Sequence, residues 1–391
     1  MERRHYDLRQ ERLFLLAYSF WLINAITGIT VWDEFYIIDF ACIYIQRASY
    51  LILAGQFLMK RRYTKKDVAG IAFIIIIIIW GFYSVNNRYI IDTAILIYFS
   101  ADIDFRKILK CTLAIQSAFM VITVFASQFN VIENVIWGNT GYTLRVRESL
   151  GYDYCAYTSH LLLFLTLVWF CLKRKADIWD SVGLLILNYY IYRLTDSRAD
   201  FYLAITAIVG MWIWNGAAKS RFLKKIASWF MRYGCGVMAF FSIALQCFYQ
   251  SGSPGMAQLN TALSGRLKLG YDAIQQYGFS LLGKKIKWYG MGSIKTDSTL
   301  EYNYVDCAFL KETLTYGILF LAVLIIAFYL IGKKISDDGD YILGCAIVVS
   351  LLYATINAHL CMPVFNVFIL YLGRIFANYS KDSLASRSNN N

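Results

Sequence analysis

The sequence predicts an all-α, polytopic membrane protein of about twelve transmembrane helices, with a long extracytoplasmic loop between spans nine and ten. Three observations predict it. Of 391 residues, 58% are apolar and only 16% are charged. The apolar residues fall in runs of bilayer-spanning length, and such runs must be helical because lipid offers no partner for an unpaired backbone group. The net charge is +12, and the basic residues gather between the runs. That is the pattern of a topology signal, so nucleic acid is not an expected partner.

The elements follow in order. A basic head, "MERRHYDLRQER", precedes a first span at roughly 13–31, which is too long for a signal-peptide core and is read as retained. Spans two to five are placed at roughly 37–59, 67–84, 88–101 and 107–128. The third contains "FIIIIIIW", which water would favour as a strand and lipid forces into a helix. Spans six to nine are placed at roughly 153–172, 177–194, 199–215 and 229–249, and spans ten to twelve at 306–331, 341–357 and 362–379. No soluble domain interrupts them, so residues 1–391 read as one integral membrane domain. The nine cysteines show no metal-ligand spacing and read as packing residues; neither a metal nor a cofactor is expected.

If the spans alternate, the segments holding 25 of the 38 lysines and arginines share one side. The positive-inside rule makes that side the cytoplasm and puts both termini there. Two segments on the other side, 129–152 and 250–305, carry basic residues that topology does not require. Within 250–305, Leu263, Leu267, Tyr271 and Ile274 recur at helical spacing after "SGSPG", with Ser264 as a candidate cap of a short amphipathic helix.

Arg145, Arg147, Arg198, Arg266, Asp306 and His359 all fall on the extracytoplasmic side. Guanidinium groups grip phosphate oxygens two at a time, so a converging set suits a diphosphate. Each residue also has a plainer reading. The arginines can snorkel to lipid phosphates, and Arg198 can pair with Asp196 or Asp200 in "LTDSRADFY". Asp306 can cap a helix, and His359 can sit at the interface. Arg47, near the middle of span two, should face a polar cavity or a carboxylate, since a lone central arginine costs about 2.5–3.5 kcal/mol on insertion scales.

Four stretches, "LRVRESLGYDY", "LTDSRADFYLAI", "LSGRLKLGYDAI…LLGKKI" and "VDCAFLKETLTYGILFLAVL", occur in an order that resembles the Wzy-type polysaccharide polymerases of the O-antigen ligase/polymerase superfamily. The resemblance covers about residues 140–330. It departs where "YDYCAYTSH" replaces a histidine and asparagine, and where "TINAHL" replaces a glutamate. It implies a metal-independent glycosyltransferase of the bacterial cell membrane that joins undecaprenyl-diphosphate-linked repeat units for O-antigen, capsule or exopolysaccharide. A flippase and a chain-length regulator are the implied protein partners. Arg145, Arg147, Arg198 and Arg266 would hold the diphosphate, with Asp306 and His359 as catalytic candidates. A ligase of the same superfamily and a lipid-linked oligosaccharide flippase are the alternatives.

Overall fold

The computed structural model describes residues 2–59, 63–81, 88–138, 146–217, 220–290 and 299–377. Arg145, one of the four expected diphosphate ligands, lies outside them. The chain is mostly helical. Helices α1 to α5 are Glu2–Thr27, Tyr36–Leu58, Lys65–Trp80, Arg88–Phe99 and Phe105–Gln128. A two-stranded antiparallel ribbon follows, pairing β1, Ile136–Trp137, with β2, Arg147–Glu148. Helices α6 to α9 are Tyr157–Lys173, Ile178–Thr195, Arg198–Ala217 and Arg221–Cys247. Helices α10 and α11, Pro254–Ala262 and Arg266–Tyr277, lie in the long loop segment. Then come α12, Ala308–Tyr316, α13, Ile318–Asp338, and α14, Tyr341–Ile356.

Four of these helices, α2, α5, α9 and α13, are long and apolar enough to cross a membrane. Several sequence boundaries shift. Helix α1 runs back through the basic head to Glu2, whose Glu, Arg and Gln residues are good helix formers. Helix α4 has only 12 residues. The last apolar run, expected as a span at 362–379, forms a 3₁₀ helix over Val367–Ile375, inside the bundle rather than at its edge.

Local sequence explains many of the starts. Thr64 and Asp67 form a reciprocal capping box at α3, each satisfying a backbone amide of the other. Asp104, Asp177, Ser220 and Asp340 accept from first-turn amides of α5, α7, α9 and α14.

The tenth apolar run is broken at Gly317. Its φ is 92°, and a Cβ there would lie 2.4 Å from the Leu281 carbonyl oxygen. The segment 280–284 enters the break. Ile318 and Leu319 donate to the Ser280 and Leu281 carbonyls at 3.0 and 3.2 Å, and Lys284 N donates to the Thr315 carbonyl at 3.1 Å. Gly283, with φ 88°, faces Gly317 backbone to backbone. A broken helix in an apolar setting needs such partners for its freed peptide groups. Trp80 Nε1 ties the same segment to α3 through the Leu282 carbonyl at 2.8 Å.

The core sits on α6 and α14. Both are buried along most of their length and pack on each other and on α8. Several of their polar side chains are satisfied from within: Thr166 Oγ1 accepts from Asn188 Nδ2 of α7 at 3.0 Å, and Ser350 donates to the Ala346 carbonyl at 2.8 Å. Helices α2, α7 and α13 instead turn large apolar side chains outward, among them Leu51, Ile186 and Ile326.

Candidate functional site

The start of α6, the α7–α8 turn, the start of α11 and the end of α14 meet at one end of the bundle around a cavity of about 550 Å³. Arg147, Arg198, Arg266, Asp306 and His359 all line it. Five of the six sequence-predicted site residues therefore share one space, although they are spread over more than half of the chain.

Each arginine is placed by a local feature. Arg147 sits in β2, opposite Trp137. The ribbon is anchored by Asn134, whose Oδ1 accepts from Leu150 N at 3.0 Å and whose Nδ2 donates to Glu148 Oε2 at 2.9 Å. Gly151, with φ 81°, makes the close turn into α6; a Cβ would meet Ile132 and Thr123 at 2.6 and 2.9 Å. Arg147 Nε donates to the Thr195 carbonyl at 3.0 Å, its Nη2 reaches Ser197 Oγ at 3.3 Å, and its guanidinium lies 5.8 Å from the Tyr154 ring centroid.

Arg198 settles the alternatives left open for "LTDSRADFY". Asp196 takes a left-handed conformation with φ 45°, ending α7, and its Oδ1 lies 3.4 Å from Arg198 Nε. Asp200 turns the other way and bonds His160 Nδ1 at 2.7 Å, with both side chains buried. The Arg198 side chain is 59% exposed, so most of its donors remain available to a ligand at the mouth.

Arg266 opens α11. Ser264 is not the cap: Ser264 and Gly265 both have positive φ, 56° and 85°, and Gly265 occupies the N-cap position without a side-chain bond. The two left-handed residues reverse the chain between α10 and α11 and aim Arg266 inward. Its Nε lies 3.1 Å from both Asp306 Oδ2 and the Ile356 carbonyl at the end of α14. Asp306 is likewise no cap, since α12 starts at Ala308 with Cys307 at its N-cap. Burial raises the Asp306 carboxyl above its ordinary range, against the opposing pull of Arg266, His160 and Lys311.

His359 is buried rather than interfacial. Its Nδ1 lies 3.1 Å from Tyr353 Oη, and its ring packs against Phe365, His160 and Tyr157 at 4.4, 5.4 and 5.8 Å between centroids. Burial, with His160 and Lys311 nearby, pushes its pKa well below the usual imidazole value, so the ring is neutral near pH 7.

Sequence reasoning missed several cavity residues. The His160–Asp200 pair joins α6 to α8 beneath the arginines. Asn357 lines the cavity with its Nδ2 buried and without a partner among the described residues, a donor poised for a ligand oxygen. Tyr302, Tyr304 and Trp288 supply aromatic walls. Asp153 stays open to the cavity's water, yet surrounding protein and the carboxylates of Asp33 and Glu34 push its pKa to about 7. Asp200, an acid in the first turn of an apolar helix, was the one legible signal among these. The others depend on loop paths that no local pattern encodes.

The cavity thus joins three arginines, four aspartates and a neutral imidazole with aromatic surfaces. It can hold an anion beside a polyhydroxylated group and accept a proton from that group. No protein-family model, curated protein or solved structure matches the chain.

Proposed function

We propose that the protein is a polysaccharide polymerase: a glycosyltransferase that joins lipid-diphosphate-linked oligosaccharide repeat units on the outer face of a bacterial cell membrane. Its apolar helices cross the bilayer, with the segment 250–305 outside and both termini in the cytoplasm. The single observation that carries this reading is the convergence of Arg147, Arg198 and Arg266 with Asp306 in one cavity at the end of an apolar helical bundle. The substrate is an undecaprenyl-diphosphate-linked oligosaccharide, in keeping with the resemblance of the four sequence stretches.

In this reaction an acceptor hydroxyl attacks the anomeric carbon of the donor sugar. The bond from that carbon to the diphosphate oxygen breaks, and the lipid diphosphate leaves with the electron pair. Negative charge grows on the leaving group, so donors fixed around it lower the barrier more than they strengthen ground-state binding. Arg198 and Arg147 hold the diphosphate at the mouth, and Arg266 does so deeper in. The hydroxyl proton passes to Asp306, whose raised pKa brings it nearer to that of a useful base. His359 is the weaker base candidate. If Tyr353 Oη donates to Nδ1, the remaining ring nitrogen carries the hydrogen and cannot accept. Asn357 Nδ2 and the Trp288 and Tyr304 rings bind sugar.

Arg198→Lys and Arg266→Lys variants are expected to stay in the membrane fraction yet make no long polymer, because lysine cannot reproduce the fork. Full-length chains in both variants would remove these residues from the site. The ligase and flippase alternatives are separated by what a deletion accumulates. Loss of a polymerase leaves single units outside, loss of a ligase leaves long polymer on its carrier, and loss of a flippase leaves units inside.

A further inference from the structure

Arg47 lies at the middle of α2, eleven residues from Tyr36 and eleven from Leu58. At 1.5 Å per residue it is roughly 16 Å from either end, beyond the reach of a side chain to the headgroups. It is exposed, on the helix face away from the bundle. Its guanidinium stacks over Tyr44 at 5.4 Å and makes no ion pair or hydrogen bond among the described residues. The flank of α2 beside Arg47 is already satisfied: Tyr50 Oη donates to Asp92 Oδ1 at 2.8 Å and accepts from Gln46 Nε2 at 3.3 Å.

Around Arg47 the outward face is apolar. Phe40, Tyr44 and Leu51 are 49%, 52% and 73% exposed and follow one another at helical spacing. One fixed cation therefore sits in an apolar stripe at mid-depth, with all five donors unused. Such a charge is tolerated where a carboxylate meets it. A second copy of this chain is a poor match, since a two-fold contact on this face would bring Arg47 against Arg47. The acids on the helices' outward faces do not supply the counter-charge either: Asp39 and Asp180 lie in the first turns of α2 and α7.

We propose that the outward face of α2 docks a transmembrane helix of a different protein, one that carries a carboxylate near the bilayer midplane and pairs it with Arg47. Phe40, Tyr44 and Leu51 frame that pair and exclude lipid. The proposal rests on α2 crossing the bilayer, not on the polymerase reading.

The test uses the full-length protein with a fluorescent domain on its C-terminus, reconstituted in liposomes. The probe is an acceptor-labelled synthetic 23-residue Leu/Ala helix with Glu at its centre. Companion helices carry Leu at the centre, or Glu six residues off it. Energy transfer is expected to saturate at a peptide-to-lipid ratio at least tenfold lower for the central Glu helix than for either companion. Arg47→Lys should keep most of that advantage and Arg47→Leu should abolish it. Equal transfer for all three helices, an advantage that survives Arg47→Leu, or self-association that depends on Arg47 would each overturn the proposal. Fast labelling of an Arg47→Cys variant by an aqueous maleimide would place α2 outside the bilayer. That would end this inference while leaving the polymer assay untouched.

Discussion

Helices α6 and α2 are both apolar, yet they live in different solvents. Helix α6 buries Ser159, His160 and Thr166 along with its leucines, and each of those polar groups has a protein partner. Helix α2 buries only Cys42, Ser49, Leu53 and Gln56, and shows the rest to its surroundings. The difference explains where chemistry can be built. A cavity needs walls that do not yield, and α6 is held on several sides by α5, α7, α8 and α14. Helix α2 rests mainly on α1 and has a free face, which suits contact with lipid or with another helix. Energetically, an unmatched polar group on α6 has no water to fall back on.

That contrast can be broken in several places, beginning with the largest effect. Gly317→Ala should be the most damaging single change, because the new Cβ meets the Leu281 carbonyl oxygen at 2.4 Å and the φ of 92° is strained for any side chain. We expect little folded protein by size-exclusion chromatography. Gly339→Ala is the control: its φ is 72°, but nothing lies within 4 Å of the added carbon, so only about 1 kcal/mol of strain is expected. Equal losses in the two variants would show that the close approach of segment 280–284 is not what holds the break.

Next comes Asp200→Asn. The buried carboxylate's charge-assisted hydrogen bond to His160 is lost, which typically costs about 1.5–3 kcal/mol, so thermal stability in detergent should fall markedly. Asp196→Asn weakens the partly exposed Arg198 pair, a contact worth at most about 1 kcal/mol, read in the same assay. Comparable losses would mean that the α7–α8 turn is not divided into a buried and an exposed half.

The smallest expected effect is a pH dependence, because Asp153 is exposed and solvent screens most of what the shift would be worth if it were buried. The surrounding protein and the Asp33 and Glu34 carboxylates push its folded pKa up from an ordinary 3.8 to about 7. Because the folded value is the higher, the folded protein holds this proton longer than the unfolded chain does. Raising the pH from about 4 to 7 therefore costs the wild type stability, and the loss is complete above pH 7. The Asp153→Asn variant should lack that component, so the difference in melting temperature between the two should grow with pH over this window. A constant difference would mean that Asp153 titrates as an ordinary exposed carboxylate.

The sequence alone determined the helical character of the chain, because runs such as "FIIIIIIW" have no other way to satisfy their backbone in lipid. Five helix starts are also encoded locally, at Thr64, Asp104, Asp177, Ser220 and Asp340, whose capping bonds act within three residues. The sequence singled out Arg147, Arg198 and Arg266, which the fold brings to one cavity, since fixed charge beside apolar helices is conspicuous at the level of single residues. Tertiary structure decided everything that depends on two distant segments. It chose between Asp196 and Asp200 as the partner of Arg198, and withdrew Ser264 and Asp306 from their capping roles. It buried His359, and it split the tenth run at Gly317 around residues from a loop some 35 positions earlier. Capping and periodicity are local and can be read along the chain; a hydrogen bond between remote peptides exists only once the chain has closed the loop between them.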